Sequence, residues 1–88
     1  MAFEWDERKA AANLAKHGVN FDIVWDFDWA TAHIVRDDRI DYGEARYVAY
    51  GRTSDGQGYV IAFTPRGTAT RIITVRRFGR KEIKLYGS

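Results

Sequence analysis

The sequence has 88 residues, enough for a single domain spanning residues 1–88, and it contains no cysteine, which excludes disulfides, cysteine-ligated zinc and a thiol nucleophile. Its net charge is only +2, but seven of its fourteen basic residues and one of its twelve acidic residues follow Pro65. This C-terminal part therefore carries a formal charge of +6. A basic surface of this kind suits phosphate groups, although an ordinary solvated face has the same composition.

The first third of the chain predicts two helices. Asp6 can accept hydrogen bonds from the first free N–H groups of a helix over residues 7–17, and Gly18 suits its left-handed end. Asn20 can begin a second, shorter helix, in which Phe21, Val24 and Trp25 lie at spacings of three and four residues. The large aromatic residues predicted to lie in the core are Trp5, Trp25 and Phe63.

After Trp29 the pattern changes to four runs of strand-forming residues separated by turn residues. The predicted strands are residues 32–36, 46–52, 59–64 and 70–77, and the third stops at Pro65 because proline cannot donate to a ladder. A helical segment over residues 80–86 follows. We therefore expect an α+β fold, in which two N-terminal helices pack on a four-stranded, mostly antiparallel sheet and a short C-terminal helix ends the chain.

Three blocks of the sequence stand out. They are Phe3-Glu4-Trp5-Asp6 with Lys9, Asn13 and Lys16-His17-Gly18-Val19; Asp37-Asp38-Arg39 with Tyr42-Gly43-Glu44 and Arg46; and residues 71–77 with Lys81-Glu82. In this order, and over nearly the whole chain, they resemble the BrnT-type ribonuclease toxins of type II toxin–antitoxin systems. The resemblance implies a RelE-like fold and an endoribonuclease activity that inhibits translation.

The same resemblance implies specific partners. RNA is the expected substrate, and a ribbon-helix-helix antitoxin, similar to BrnA, is expected to neutralise the toxin. A 2:2 heterotetramer that binds operator DNA through the antitoxin is the expected complex. Two alternatives remain open, a nucleic-acid-binding module without chemistry and a module that only binds an acidic partner, because basic residues suit phosphate and carboxylate alike.

Cleavage of RNA without a metal needs a base for the 2′-hydroxyl, cations for the charge that develops on phosphate, and an acid for the 5′-oxygen. The candidate catalytic residues are Lys16, His17, Glu44, Arg46, Arg76 and Arg77. His17 ends a helix where its imidazole can reach solvent, although it can also serve only to complement the helix dipole. His33, the other histidine, lies in a predicted strand and is interpreted as a sheet residue.

The arginines of the last predicted strand are the strongest functional candidates, because a guanidinium holds phosphate with two hydrogen bonds. Alternation along residues 71–77 predicts that Arg71 and Arg77 share one face of the strand, with Arg76 on the other. Candidate RNA-binding residues are Arg71, Arg80 and Lys81. The alternative is that these charges only protect a strand edge from aggregation. Glu44, two residues from Arg46, can orient that guanidinium or form a weak surface ion pair.

The aspartates between residues 22 and 41 lack the spacing of a calcium-binding loop. We therefore expect neither a metal ion nor another cofactor. The N-terminus has no apolar signal segment, and no apolar run approaches the roughly 18 residues that a membrane helix needs. A cytoplasmic protein with no membrane partner is expected.

Overall fold

The computed structural model describes residues 2–87, which form five strands, two α-helices and one 3-10 helix. The strands are β1 (Ala2–Glu4), β2 (His33–Arg36), β3 (Tyr47–Arg52), β4 (Gly58–Arg66) and β5 (Ala69–Arg77). The helices are α1 (Glu7–His17), the 3-10 helix (Phe21–Trp25) and α2 (Arg80–Tyr86). One sheet has the strand order β1-β5-β4-β3-β2, in which only β1 and β5 are parallel. The predicted α+β class is confirmed.

Residues 2–87 contain five strands, so the prediction of four is wrong. The additional strand is β1, which pairs in parallel with β5 from Ala2 opposite Ala69 to Glu4 opposite Arg71. A strand of three residues is too short to show the alternation by which strands are recognised in a sequence. Strand β1 forms because β5, which lies far along the chain, offers it unpaired backbone groups at the edge of the sheet.

Helix α1 begins and ends where the sequence predicts. The Asp6 carboxylate accepts hydrogen bonds from the backbone N–H groups of Arg8 and Lys9, at 2.8 and 3.4 Å. At the other end Gly18 has φ = 67°, which glycine adopts without strain, and its N–H donates to the carbonyl of Leu14. These two caps fix the first and the last turn of α1.

The second predicted helix is a 3-10 helix of five residues, so the prediction of two N-terminal α-helices is wrong. Its buried residues, Phe21 and Val24, lie three apart, which is one turn of a 3-10 helix. Trp25 was predicted to share their face, but 63% of its surface is exposed and it packs edge-on against Phe3. The tighter winding, with three residues per turn instead of 3.6, turns position i+4 away from the core.

One face of the sheet carries the hydrophobic core. The buried residues of this cluster are Val19, Phe21, Val24, Phe27, Ala49, Tyr59, Ile61, Ile72 and Val75. Trp5 and Phe63, which the sequence predicts in the core, are half-buried and pack against the cluster. The 3-10 helix and the segment after it therefore cover this face of the sheet.

A β-bulge interrupts the pairing of β4 with β5. Ala62 of β4 lies opposite Thr74, but the next residue, Phe63, lies opposite Ile72. Ile73 is therefore the extra residue, with no partner on β4. Because side chains alternate along a strand, one extra residue inverts the alternation on either side of it.

The bulge changes which arginines of β5 share a face. Ile72 and Val75, three residues apart, are both buried in the core. Arg71 and Arg76 therefore lie on the opposite face, and Arg77 lies on the core side. The prediction that Arg71 and Arg77 share a face is wrong, because it assumed unbroken alternation.

Strand β4 continues to Arg66, so the prediction that it stops at Pro65 is also wrong. Pro65 lies opposite Thr70 of β5. Strand β3 begins at Tyr47, opposite Phe63, so at Pro65 strand β4 has a neighbour on one side only. A residue without an N–H is tolerated where a strand has such a free side.

The buried side chain of Asn13 joins α1 to β5. Strand β1 ends opposite Arg71, so it does not accompany the later residues of β5. The Asn13 amide takes that place: its Nδ2 donates to the Val75 carbonyl at 2.7 Å, and its Oδ1 accepts from the Val75 N–H at 3.1 Å. Nδ2 also donates to the Val19 carbonyl at 3.2 Å. Asn13 therefore acts as a one-residue strand partner and holds α1 beside the sheet.

Helix α2 lies on the sheet face opposite the core and covers the predicted residues 80–86. Its Tyr86 ring stacks on Tyr50 of β3, with the ring centres 5.3 Å apart. The Tyr86 hydroxyl is hydrogen-bonded to Nδ1 of His33 at 2.8 Å. The interpretation of His33 as a sheet residue is confirmed, since it lies in β2 and holds α2 to the sheet.

Candidate functional site

The sheet face opposite the core, called the open face below, contains two grooves that meet at Thr74. The first groove has a volume of about 280 Å³ and lies between α1 and the sheet. The second has a volume of about 460 Å³ and lies over strands β2 to β5. Thr74 lines both, so an extended molecule can pass from one groove to the other.

The first groove collects basic residues from α1 and from the start of β3. Its lining residues are Lys9, Ala12, Asn13, Lys16, His17, Arg46, Ile73 and Thr74. Lys9 and Lys16 are seven residues apart, two helical turns, so they lie on the same side of α1. Both are exposed, and within residues 2–87 neither forms a salt bridge. Three predicted catalytic residues, Lys16, His17 and Arg46, are thus brought together.

The Arg46 guanidinium has an unused hydrogen-bond donor. The central carbon of the guanidinium lies 4.0 Å from the centre of the Tyr42 ring, so stacking on this ring restrains the orientation of the guanidinium plane. Its Nε is 3.7 Å from a carboxylate oxygen of Glu44, which is too long for a hydrogen bond. This Nε is buried and has no hydrogen-bond partner among the described residues. A buried donor without a partner is costly, so the neighbouring residues leave this guanidinium incompletely satisfied.

The second groove has an apolar floor and a charged rim. Its lining residues are Val35, Arg36, Asp37, Asp38, Arg39, Val48, Tyr50, Val60, Ala62, Thr74, Arg76 and Lys81. The Arg76 guanidinium donates two hydrogen bonds to Glu82, at 2.8 and 3.3 Å. These bonds, with a third from the Gly79 N–H, lower the pKa of Glu82 to about 2. Arg76 is therefore held in place by a carboxylate that stays ionised.

Two local ion pairs complete the rim of the second groove. Arg39 donates two hydrogen bonds of 2.9 Å to Asp37, and these bonds hold the pKa of Asp37 well below its usual range. Arg36 contacts Asp38 at 2.8 Å. Because each arginine is balanced by an acid two residues away, this rim adds little net charge. The unbalanced positive charge of the open face is concentrated in the first groove and at Lys81.

Arg77, predicted to be catalytic, lies outside both grooves. From the core side of β5 its guanidinium donates to the backbone carbonyls of His17 and Gly18, at 3.3 and 3.5 Å. These carbonyls belong to the end of α1, where a cation also complements the helix dipole. The contacts give Arg77 a role in holding the last turn of α1.

The remaining predicted residues are also outside the lining of the two grooves. Arg71 forms a 2.7 Å ion pair with Glu4 of β1. Glu44 contacts Arg66 at 3.3 Å as well as Arg46. Arg80 is exposed at the start of α2. The structure therefore brings five of the nine predicted site residues into the grooves: Lys16, His17 and Arg46 in the first, Arg76 and Lys81 in the second.

Comparisons with known proteins show the family of this chain. A family model described as "Ribonuclease toxin, BrnT, of type II toxin-antitoxin system" matches residues 5–82. The chain belongs to the BrnT family. It is therefore a ribonuclease toxin of a type II toxin–antitoxin system, and membership of such a system implies an antitoxin partner. The resemblance stated from the sequence is confirmed.

The crystal structure of the Brucella abortus ribonuclease toxin BrnT is similar to this chain, with a TM-score of 0.73 and 26% identity. The match covers 91% of this chain and 99% of that one. The five-stranded sheet with its two α-helices is thus a BrnT fold. Among curated proteins no significant match is found.

Two structural features are absent from residues 2–87. No helix in that range is long and apolar enough to cross a membrane. No group of three or more His, Cys, Asp or Glu side chains in that range is placed to hold a metal ion.

Sequence reasoning gave no role to three residues of this BrnT-family site, Lys9, Tyr42 and Thr74. The sequence contains a pattern that could have identified Lys9. It lies seven residues from Lys16 on a predicted helix, so both side chains are expected on the same side of that helix. No pattern signals the stacking of Tyr42 on Arg46, because it depends on how the chain turns between them. Thr74 shares the open face with Arg76, as alternation predicts, but only the assembled sheet shows that it lies where the two grooves meet.

Proposed function

We propose that this BrnT-family chain cleaves RNA in the first groove without a metal ion. The observation that carries the proposal is the buried, unpartnered Nε of Arg46, in a groove that also contains Lys16 and His17. A phosphate supplies the acceptor oxygens that a guanidinium lacks here, and its charge is attracted by the unpaired ammonium groups. Such a reaction belongs in the cytoplasm, where RNA is available.

The first groove offers the components of metal-free cleavage. In the proposed reaction His17 takes the proton of the 2′-hydroxyl, and the 2′-oxygen forms a bond to phosphorus. The bond from phosphorus to the 5′-oxygen breaks, and that oxygen takes a proton from water. Arg46 and Lys16 offset the negative charge that develops on the phosphoryl oxygens. The products are a 2′,3′-cyclic phosphate and a 5′-hydroxyl.

The other predicted site residues have supporting roles in this proposal. Glu44 orients Arg46, and Arg77 positions His17 through the end of α1. Arg76 and Lys81 bind the part of the RNA that continues into the second groove. Arg71 and Arg80 add positive charge at the margins of the open face.

Purified chain, free of antitoxin, should cleave single-stranded RNA in the presence of EDTA and leave the termini named above. The His17→Gln variant, purified in the same way, is the control for contaminating nucleases and should be inactive. The measurement is gel analysis of labelled RNA with identification of the new ends. Loss of cleavage in EDTA with recovery on adding magnesium would refute the metal-free reaction, and full activity of the variant would exclude His17.

The partner is proposed to be a BrnA-like ribbon-helix-helix antitoxin. Helix α2 exposes basic Arg80, Lys81 and Lys84 together with apolar Ile83 and Leu85, a surface that suits an acidic and partly apolar segment. Because ribbon-helix-helix domains form their DNA-reading ribbon as dimers, we propose a complex of two toxins and two antitoxins related by a two-fold axis. The antitoxin contacts operator DNA, and its segment on the toxin blocks access of RNA to the open face.

Light scattering on the co-purified complex should give the mass of two toxins and two antitoxins. Hydrogen exchange should show protection of residues 71–86 when the antitoxin binds, because these residues include α2 and its rim of basic side chains. Protection confined to residues 22–44 would show that the antitoxin binds elsewhere and does not mask the basic surface.

A further inference from the structure

A third hollow, with a volume of about 500 Å³, lies beyond the second groove at the end of β3, between α2 and the segment that follows the 3-10 helix. Tyr50 lines both this hollow and the second groove, as Thr74 lines both the second groove and the first. The three hollows therefore adjoin one another in series, along a path from the first groove beside α1 to the third hollow. An RNA strand bound in the first groove can extend along this path toward the third hollow.

One wall of the third hollow is aromatic. It contains Tyr50, Phe78 and Tyr86. Tyr86 stacks on Tyr50, and its ring centre lies 5.8 Å from that of Phe78. The hydrogen bond between the Tyr86 hydroxyl and Nδ1 of His33 fixes this group further. Rings that are already held by their neighbours offer an apolar surface to a ligand at little cost in side-chain freedom.

The opposite wall contains two fixed carboxylates, Asp26 and Asp28. The N–H and hydroxyl of Ser54 donate to Asp26 at 3.0 and 2.7 Å. The Ala30 N–H and the Thr31 hydroxyl donate to Asp28 at 3.2 and 2.8 Å. Each carboxylate keeps acceptor capacity beyond these bonds.

Arg52 also lines the hollow, where its guanidinium donates to the backbone carbonyls of Gly56, Tyr86 and Gly87. Two carboxylates and one guanidinium leave a formal charge of −1, so the end of the path differs in chemistry from its cationic beginning.

We propose that the third hollow binds an unpaired nucleobase of the RNA substrate and prefers a base that carries an exocyclic amino group. The inference rests on the proposed function, which places RNA on the open face. The aromatic wall suits the flat face of any base. The carboxylates accept hydrogen bonds from an amino group such as N4 of cytosine. Uracil has a carbonyl oxygen in the place of that amino group, and the carboxylates repel it.

Cytosine and uracil provide the test, because they have the same size and differ in this one group. Labelled 2′-O-methyl oligonucleotides of eight cytidines or eight uridines cannot be cleaved, and their binding is measured by fluorescence anisotropy at neutral pH. We expect the wild-type chain to bind the cytidine oligonucleotide roughly five-fold or more tightly. Equal binding of the two would overturn the proposal.

The variant Asp26→Asn/Asp28→Asn should lose this preference, because an amide also donates to the carbonyl of uracil. The matched control is Asp22→Asn/Asp41→Asn, which removes two charges outside all three hollows and should keep the preference. Circular dichroism verifies that each variant is folded. If the double variant does not fold, the same binding comparison is made with Asp28→Asn alone. A preference that survives in the Asp26 and Asp28 variants would also overturn the proposal. Since binding is measured without cleavage, failure here is distinct from failure of the proposed function, which the EDTA experiment decides.

Discussion

Replacement of Arg46 by alanine should lower the rate of RNA cleavage by roughly 10²–10³-fold, the loss typical of a donor that stabilises charge in a transition state. The fold should survive, because the guanidinium gives up only its stacking on Tyr42 and a loose contact with Glu44. Single-turnover cleavage rates and thermal unfolding measure the two effects separately.

The matched control for this variant is Arg66→Ala. Arg66 also contacts Glu44, at 3.3 Å, but it lies outside the grooves and half of its side chain is exposed. The two variants change the net charge equally, so a general loss of attraction for RNA would slow both. A specific role predicts a large loss for Arg46→Ala, nearly normal cleavage for Arg66→Ala, and an intermediate rate for Arg46→Lys. Equal losses in the two alanine variants would remove Arg46 from the site.

The largest effect on stability is expected at Asn13. The Asn13→Leu variant should lower the free energy of unfolding by about 2–5 kcal/mol, because it leaves backbone groups of Val75 and Val19 without partners in a buried place. A domain of this size has a total stability of roughly 5–15 kcal/mol, so the loss would be visible as a lower midpoint of urea unfolding.

Two further variants separate the strand-like role of Asn13 from the general cost of losing an asparagine. Asn13→Asp keeps an acceptor for the Val75 N–H but loses the donor to the Val75 and Val19 carbonyls, and we expect an intermediate loss. Asn20→Ala removes the cap of the 3-10 helix, a single hydrogen bond of 2.9 Å to the Asp22 N–H, and should cost about 1 kcal/mol. If Asn13→Leu costs no more than Asn20→Ala, Asn13 does not hold α1 to the sheet.

The sequence predicts those parts of this fold that depend on neighbours in the chain. The caps at Asp6 and Gly18 act within a few residues of themselves, and the limits of α1 and α2 follow from such local signals. The 3-10 helix is a harder case, because its residues suit an α-helix equally well and only packing against the core selects the tighter winding.

Features that depend on distant residues could not be predicted. Strand β1 has three residues and forms only against β5, and the bulge at Ile73 is defined by its partners on β4. The same limit applies to the site. The predicted end of α1 indicates that Lys16 and His17 are accessible. The sequence does not indicate that they lie close to Arg46, because this proximity depends on how α1 packs beside the assembled sheet. Arg71 shares a face with Arg76 and not with Arg77, because the bulge lies between Arg71 and the other two arginines.

The position of β5 in the sheet also determines when the first groove can form during synthesis. The groove combines side chains of α1 with Arg46 and with Ile73 and Thr74, and Asn13 can bind only once Val75 has left the ribosome. Contacts between the ends of a chain form late, because the whole intervening chain must first be available. A nascent toxin therefore has no complete groove until Val75 has left the ribosome, so a chain that ends before this residue lacks the site.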